Sequence, residues 1–133
     1  MYLRLVCYYM LQAIFIWAQA SSAVETYDDL YVGCFTDATI KRVLPDAQLI
    51  SDDMTITVCI DYCTTLTDTD SAYAGVEHAN ECYCGVAGTN YDRLGVPEDG
   101  DCDFPCAGDN TNICGGINKI SIYNGKFKNH QNQ

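Results

Sequence analysis

After residue 30 the apolar positions fall into short stretches with distinct periods, separated by polar turns. Tyr31-Val32-Gly33-Cys34-Phe35-Thr36 is short and rich in β-forming residues, which predicts a first strand. Asp37 to Lys41 reads as a turn. Arg42-Val43-Leu44 reads as a brief extended piece before Pro45, which bars a central strand position after it. From Ile56 the period changes: Ile56, Cys59, Ile60, Cys63 and Leu66 recur at the three-and-four spacing of one helix face. Thr55 has the side chain of an N-cap, and Met54 before it is placed to pack back on the first turn. The spacing therefore predicts a helix over 55–66, followed by a polar, Thr- and Asp-rich loop over 64–71.

Next, an apolar run from Tyr73 to Val76 passes through His78-Ala79-Asn80 into Glu81-Cys82-Tyr83-Cys84-Gly85, which predicts two strands, about 72–77 and 81–85. In an extended strand Cys82 and Cys84 point one way and Tyr83 the other. Cys59 and Cys63 share one face of the predicted helix. Two thiols on a helix face and two on a strand face have the geometry of a double staple, direct or crossed. Residues 86–100 carry Gly, Pro and acidic residues without a period and read as irregular, and 102–110 show no regular element either. After Gly115-Gly116, Lys119-Ile120-Ser121-Ile122-Tyr123 alternates and predicts the last strand.

The ends differ from this middle. Leu5 to Trp17 is apolar but for Gln12, preceded by Arg4 and followed by Ala18-Gln19-Ala20, with Ser21-Ser22-Ala23 as a second choice of cleavage site. Residues 1–20 read as a secretory signal peptide, with a retained anchor as the alternative; the run is shorter than a typical membrane span. Residues 21–30 read as a flexible leader, 31–124 as the domain, and 125–133 as a polar tail. Of nine cysteines, Cys7 lies in the signal; Cys34, Cys59, Cys63, Cys82, Cys84, Cys102, Cys106 and Cys114 remain. An even set in a short secreted chain reads as a disulfide framework, although about a hundred pairings are open. Zinc is the rival reading, disfavoured by the oxidising route and the ligand spacing. So small a domain has a large surface for its core, and bridges worth ~2–4 kcal/mol each would offset the deficit. The chain has 18 acidic residues against 7 basic, a formal net charge of −11. This argues against nucleic acid or anionic lipid as a partner.

Taken together, these residues resemble the WSC domain, a cysteine-rich module of fungal cell-wall stress sensors and secreted fungal proteins. The matching stretches are Tyr31 to Asp37, Arg42-Val43-Leu44, Met54-Thr55 with Cys59 and Cys63, Tyr73 to Glu77, and Glu81 to Gly85. The match continues through Cys102 to Asp109, Cys114-Gly115-Gly116 and Ser121-Ile122-Tyr123. The resemblance implies an α+β, disulfide-rich fold of the PAN/apple type, with one helix packed on a short antiparallel sheet. It also implies four pairings: Cys34 with Cys102, Cys59 with Cys82, Cys63 with Cys84, and Cys106 with Cys114. Two departures bear on ligand preference. Family members often carry an aromatic-glycine pair where this chain has His78-Ala79, and Asn where Asp103 stands.

The function implied is non-catalytic binding of fungal cell-wall polysaccharide, β-1,3-glucan or a related glycan, by a secreted, wall-associated protein with no cofactor. Sugar recognition uses aromatic faces for the pyranose C–H surface and planar polar groups for its hydroxyls. The candidates are Tyr83, Tyr91, Glu77, Asp109 and Asn110. Alternation leaves open whether Tyr83 is exposed or packs on a neighbouring strand. Glu77 and Asp109 can equally cap turns, and Arg42 pairs more readily with an acidic neighbour than with a ligand. A protein-interaction module or effector with a PAN-like fold is the alternative, since fold does not fix function. An enzyme is disfavoured: His78 and His130 lack a companion nucleophile, although an acidic chain always offers carboxylate pairs. A calcium loop at Asp109-Asn110-Thr111-Asn112 lacks the longer ligand pattern.

Overall fold

The computed structural model describes residues 26–65, 71–95 and 100–125. Residues 1–25, with the predicted signal peptide, Leu66 and the tail from 126 onward lie outside the described residues. Five strands form one antiparallel sheet, which runs across in the order Tyr31–Thr36, Lys119–Asn124, Ser71–Glu77, Glu81–Val86, Ala47–Ile50. They are β1 (Tyr31–Thr36), β2 (Ala47–Ile50), β3 (Ser71–Glu77), β4 (Glu81–Val86) and β7 (Lys119–Asn124). A helix, α1 (Ile56–Thr65), packs on β3, β4 and β2. A small hairpin, β5 (Pro105–Cys106) with β6 (Asp109–Ile113), lies apart from the sheet in pairing, and Tyr27–Leu30 form a 3₁₀ turn ahead of β1.

The helix follows from its apolar stripe. Ile56, Cys59, Ile60 and Cys63 are its buried residues. Thr55 Oγ1 accepts the Val58 N–H at 3.0 Å, which satisfies one of the free donors of the first turn, and Met54 is fully buried before it. Two threonines close the other end, Thr64 and Thr65 donating their hydroxyls back to the carbonyls of Asp61 and Tyr62. The staple is direct: Cys59 joins Cys82 and Cys63 joins Cys84, while Cys34 joins Cys102 and Cys106 joins Cys114.

Strand alternation divides the apolar side chains between two clusters. Ala74, Val76, Cys82, Cys84 and Tyr123 meet the helix and its cystines. Phe35, Val43, Leu44, Tyr83, Ile120 and Ile122 make the second cluster, with Val32, Tyr73 and Tyr91 packed against it. Arg42–Leu44 is a bend rather than an extended piece, and it drives Val43 and Leu44 into that second cluster. Ala47–Ile50, shortly after Pro45, instead form β2, an edge strand, consistent with a proline at its threshold. The hairpin β5–β6 likewise occupies a stretch that showed no periodicity.

Glycine is required where the chain doubles back on the sheet. Gly115 has φ +68°, and a Cβ there would collide with the carbonyl oxygens of Lys119 and Val76 and with Glu77 Cα. The β3–β4 turn makes a comparable demand without glycine: His78 and Ala79 sit at φ 51° and 69°. Left-handed backbone costs a residue with a Cβ about 1 kcal/mol. Ala79→Gly is accordingly expected to stabilise the domain by ~0.5–1 kcal/mol, read as a higher urea midpoint at unchanged slope.

Candidate functional site

Three of the five candidate side chains sit on or beside the second cluster. Asp37, at the end of β1, accepts the N–H groups of Ala38 and Val43 on Oδ1, both at 2.8 Å, and so folds the 37–43 loop over the sheet. That loop carries Arg42 to a point 4.3 Å above the centre of the Tyr83 ring. Arg42 Nη1 reaches Asp37 Oδ2 at 3.2 Å and Glu77 Oε2 at 3.0 Å, and Nη2 reaches Glu81 Oε2 at 3.4 Å. The Tyr83 hydroxyl donates to the same Glu81 oxygen at 2.7 Å. Arg93 Nη2 donates to the carbonyls of Lys41 and Arg42 and straps the loop down. Tyr83 does face away from the cystines, but it is only 4% exposed. Tyr91 is half-buried, edge-on to both Phe35 and Tyr73 at 4.9 and 4.8 Å.

One guanidinium here faces three carboxylates. Burial, then the hydrogen bond and charge of Asp37, push the Glu77 carboxyl up to about 8 against the opposing pull of Arg42. Glu77 therefore holds a proton at neutral pH, shared with Asp37. Burial and the bond to Glu81 likewise push the Tyr83 phenol up. Because Glu77 binds its proton far more tightly folded than unfolded, stability is full below its ordinary value of 4.5 and declines as pH rises through about 8. The groups facing it are Asp37, Arg42, Glu81 and Tyr83, with His78 beyond Glu81 at 3.8 Å. The expected loss between pH 5 and 8 is ~2 kcal/mol, after discounting for the solvent that reaches Arg42 and Glu81. Urea melts across that range check it, and Glu77→Gln is expected to flatten the slope.

Asp109 and Asn110 belong to a different face. Asp109 Oδ1 accepts both the Thr111 N–H (3.0 Å) and the Thr111 hydroxyl (2.6 Å), and Oδ2 accepts Asn112 Nδ2 at 2.6 Å. These bonds from Thr111 and Asn112 hold its carboxyl below the usual range and occupy both of its oxygens within the turn. Asn112, thus oriented, accepts the Tyr27 hydroxyl on Oδ1 at 2.9 Å. Tyr31 pairs across the sheet with Tyr123, their rings 5.2 Å apart, and remains 48% exposed. The Tyr123 phenol is pushed up by burial first and then by Tyr31, Asp28 and Tyr27, which places all three beside it.

The fold thus links Asp109 to Asn112 and Asn112 to Tyr27, sets Tyr27 and Tyr31 beside Tyr123, leaves Asn110 exposed on β6 next to Asp109, and keeps Glu77, Tyr83 and Tyr91 on and under the second cluster. Tyr27, Tyr31 and Asn112 escaped the sequence reading, because nothing local reveals that β1 lies beside β7. The sulfurs of Cys59, Cys63 and Cys82 come together because two disulfides pack side by side, with Cys63 and Cys82 Sγ 3.8 Å apart.

The four bridges, the helix and the antiparallel sheet define a cysteine-rich α+β extracellular module. The chain belongs to the WSC domain family, whose model, described as WSC domain, matches residues 31–116. A "WSC domain-containing protein" of Arthroderma benhamiae is 32% identical over 93 residues, covering 70% of this chain and 12% of that protein. A "Putative fungistatic metabolite" of Chaetomium globosum is 38% identical over 95 residues, covering 70% of this chain and 40% of its own. Human Kremen protein 1 is 29% identical over 92 residues, 69% of this chain and 19% of its own. The chain therefore matches less than half the length of each of these relatives. Among the described residues no helix is long and apolar enough to cross a membrane.

Proposed function

We propose that the protein is a secreted, non-catalytic module that binds fungal cell-wall polysaccharide, β-1,3-glucan foremost. On this reading residues 1–20 are its signal peptide and 31–124 its binding domain. The observation that carries it is the exposed Tyr31 ring on a tyrosine cluster with Tyr123 and Tyr27; the Tyr27 hydroxyl bonds to Asn112, an amide held in turn by Asp109. An aromatic face takes the C–H surface of a pyranose, and Asn110 and Asn112 offer donors and acceptors for its hydroxyls. Orientation by Asp109 and Tyr27 lowers the entropy lost on binding. A hydrolytic role finds no support in the proton-sharing pair: the side chains of Asp37 and Glu77 are 0% and 3% exposed, beneath Arg42 and its loop.

The test is co-sedimentation of the protein with insoluble β-1,3-glucan, chitin and mannan. Retention on glucan is expected, weakened about tenfold by Tyr31→Ala, the loss typical of one stacking aromatic. Retention on none of the three contradicts the reading.

A protein-binding role has its own supporting observation. Ile40 is 99% and Ile117 65% exposed, on turns joined by the Asp37 N–H to the Asn118 carbonyl. Capture of one protein from a wall extract, abolished by Ile40→Ser and insensitive to added glucan, would favour that role.

A further inference from the structure

A second aromatic surface lies at the opposite end of β3 from Tyr73 and Asn124, and neither the core nor the Arg42 network accounts for it. His78 extends from the tight β3–β4 turn, its side chain 54% exposed, with its ring 5.5 Å from that of Phe104 and tilted by 30°. The turn keeps two residues with a Cβ in the left-handed region, a cost that the surrounding structure must sustain. It does so through three separate segments. The Ala79 N–H donates to Cys114 O, Ala79 O accepts the Ala107 N–H, and Asn80 O accepts the Ser51 N–H, all at 3.0 Å. Phe104 is fixed as firmly, its N–H on Gly115 O at 2.9 Å and its carbonyl receiving the Cys114 N–H at 2.7 Å.

Glu81 supplies a polar edge to these rings. Its Oε2 is committed to the Tyr83 hydroxyl and Arg42. Its Oε1 lies 3.8 Å from His78 Nδ1 and receives no hydrogen bond among the described residues. The carboxylate is held from behind and one oxygen is left for an acceptor role at the surface. Rigid backbone, two neighbouring rings and an uncommitted acceptor are what a pyranose needs: an apolar platform and one directed hydroxyl contact. About half of the His78 side chain stays exposed, so its ring remains open to a ligand while it packs beside Phe104.

We propose that His78, Phe104 and Glu81 form a second sugar subsite, in which the two rings receive the C–H face of one pyranose residue and Glu81 Oε1 accepts one of its hydroxyls. The proposal rests on the carbohydrate reading above and adds a location to it, separate from the Tyr31 face. With two faces available, a polysaccharide chain or two neighbouring chains can engage the module twice, which raises retention on an insoluble wall without new chemistry.

The experiment is an NMR titration of the full chain, recovered from a secreting host, with a β-1,3-glucan hexasaccharide. It is paired with affinities of His78→Ala and Phe104→Leu. The His78 and Phe104 ring resonances are expected to shift, and each substitution is expected to weaken binding about tenfold, with His78→Ala leaving the unfolding midpoint unchanged. Hexasaccharide binding with shifts confined to residues around Tyr31 and Asn110, and wild-type affinity in His78→Ala, overturns the subsite and leaves the carbohydrate reading standing. Absence of hexasaccharide binding together with absence of retention on all three insoluble polysaccharides overturns both.

Discussion

Replacing Arg42 by Met is expected to cost ~3–5 kcal/mol of stability, the range for removing one partner of a buried ion pair. The substitution keeps the apolar stem but takes away the cation that faces Asp37, Glu77 and Glu81 at 3.0–3.4 Å. Asp37 has no exposed side-chain surface and cannot turn to water. Its buried carboxyl would lose its cationic partner beside Glu77, and Tyr83 would lose the guanidinium stacked on its face. Arg42→Lys is expected to recover only part of the loss, because an ammonium cannot fork between Nη1-type and Nη2-type contacts. Adding Glu77→Gln to Arg42→Met is expected to recover little at neutral pH, because Glu77 already carries its proton there. Urea unfolding of the single and double variants measures this coupling directly. An Arg42→Met protein within ~1 kcal/mol of the parent would show the network to be incidental, as a solvent-exposed ion pair would be.

Removing the Cys34–Cys102 bridge is expected to cost ~4 kcal/mol, more than removing any other single bridge. The four bridges close loops of very different lengths: sequence separations of 68 for Cys34–Cys102, 23 for Cys59–Cys82, 21 for Cys63–Cys84 and 8 for Cys106–Cys114. Loop-closure entropy alone gives ~4.4 kcal/mol for the longest and ~2.6 for the shortest. The two middle bridges depart from this scale. They join the same helix to the same strand, so with one gone the other still closes nearly the same loop. The single loss is then mainly the packing of two buried sulfurs, ~2 kcal/mol. Losing both is expected to cost more than twice the single loss. Thermal midpoints of the paired Cys→Ala variants give the order; a Cys106–Cys114 variant less stable than the Cys34–Cys102 one would contradict it.

How much of this was legible in the sequence depended on whether the cause was local. β1, β3, β4 and β7 announce themselves through β-forming residues and alternation, and α1 through five apolar positions on one stripe. β2 and the β5–β6 hairpin are four and five residues at most, too short to show a period, and exist because β4 and the Cys106–Cys114 bridge offer them partners. Tyr83 illustrates the boundary. Alternation predicts its face, but its burial depends on Leu44 and Arg42, some forty residues earlier, and on Tyr91, which caps the same cluster. Glu77 was legible as a polar residue just before a turn, but its place in the Arg42 network depends on a loop 35 residues earlier in the chain. The surface that replaces them needed the sheet order, which sets Tyr31 against Tyr123 and brings Tyr27 to Asn112.

The central claim, that an ordered tyrosine-and-amide face binds wall polysaccharide, is tested most directly by a binding isotherm on insoluble β-1,3-glucan. It should be measured side by side for the parent, Tyr31→Ala and Asn110→Ala. The account predicts saturable retention of the parent and about tenfold weaker retention of Tyr31→Ala at an unaltered fold. Equal retention of all three proteins, or retention of none, would contradict it.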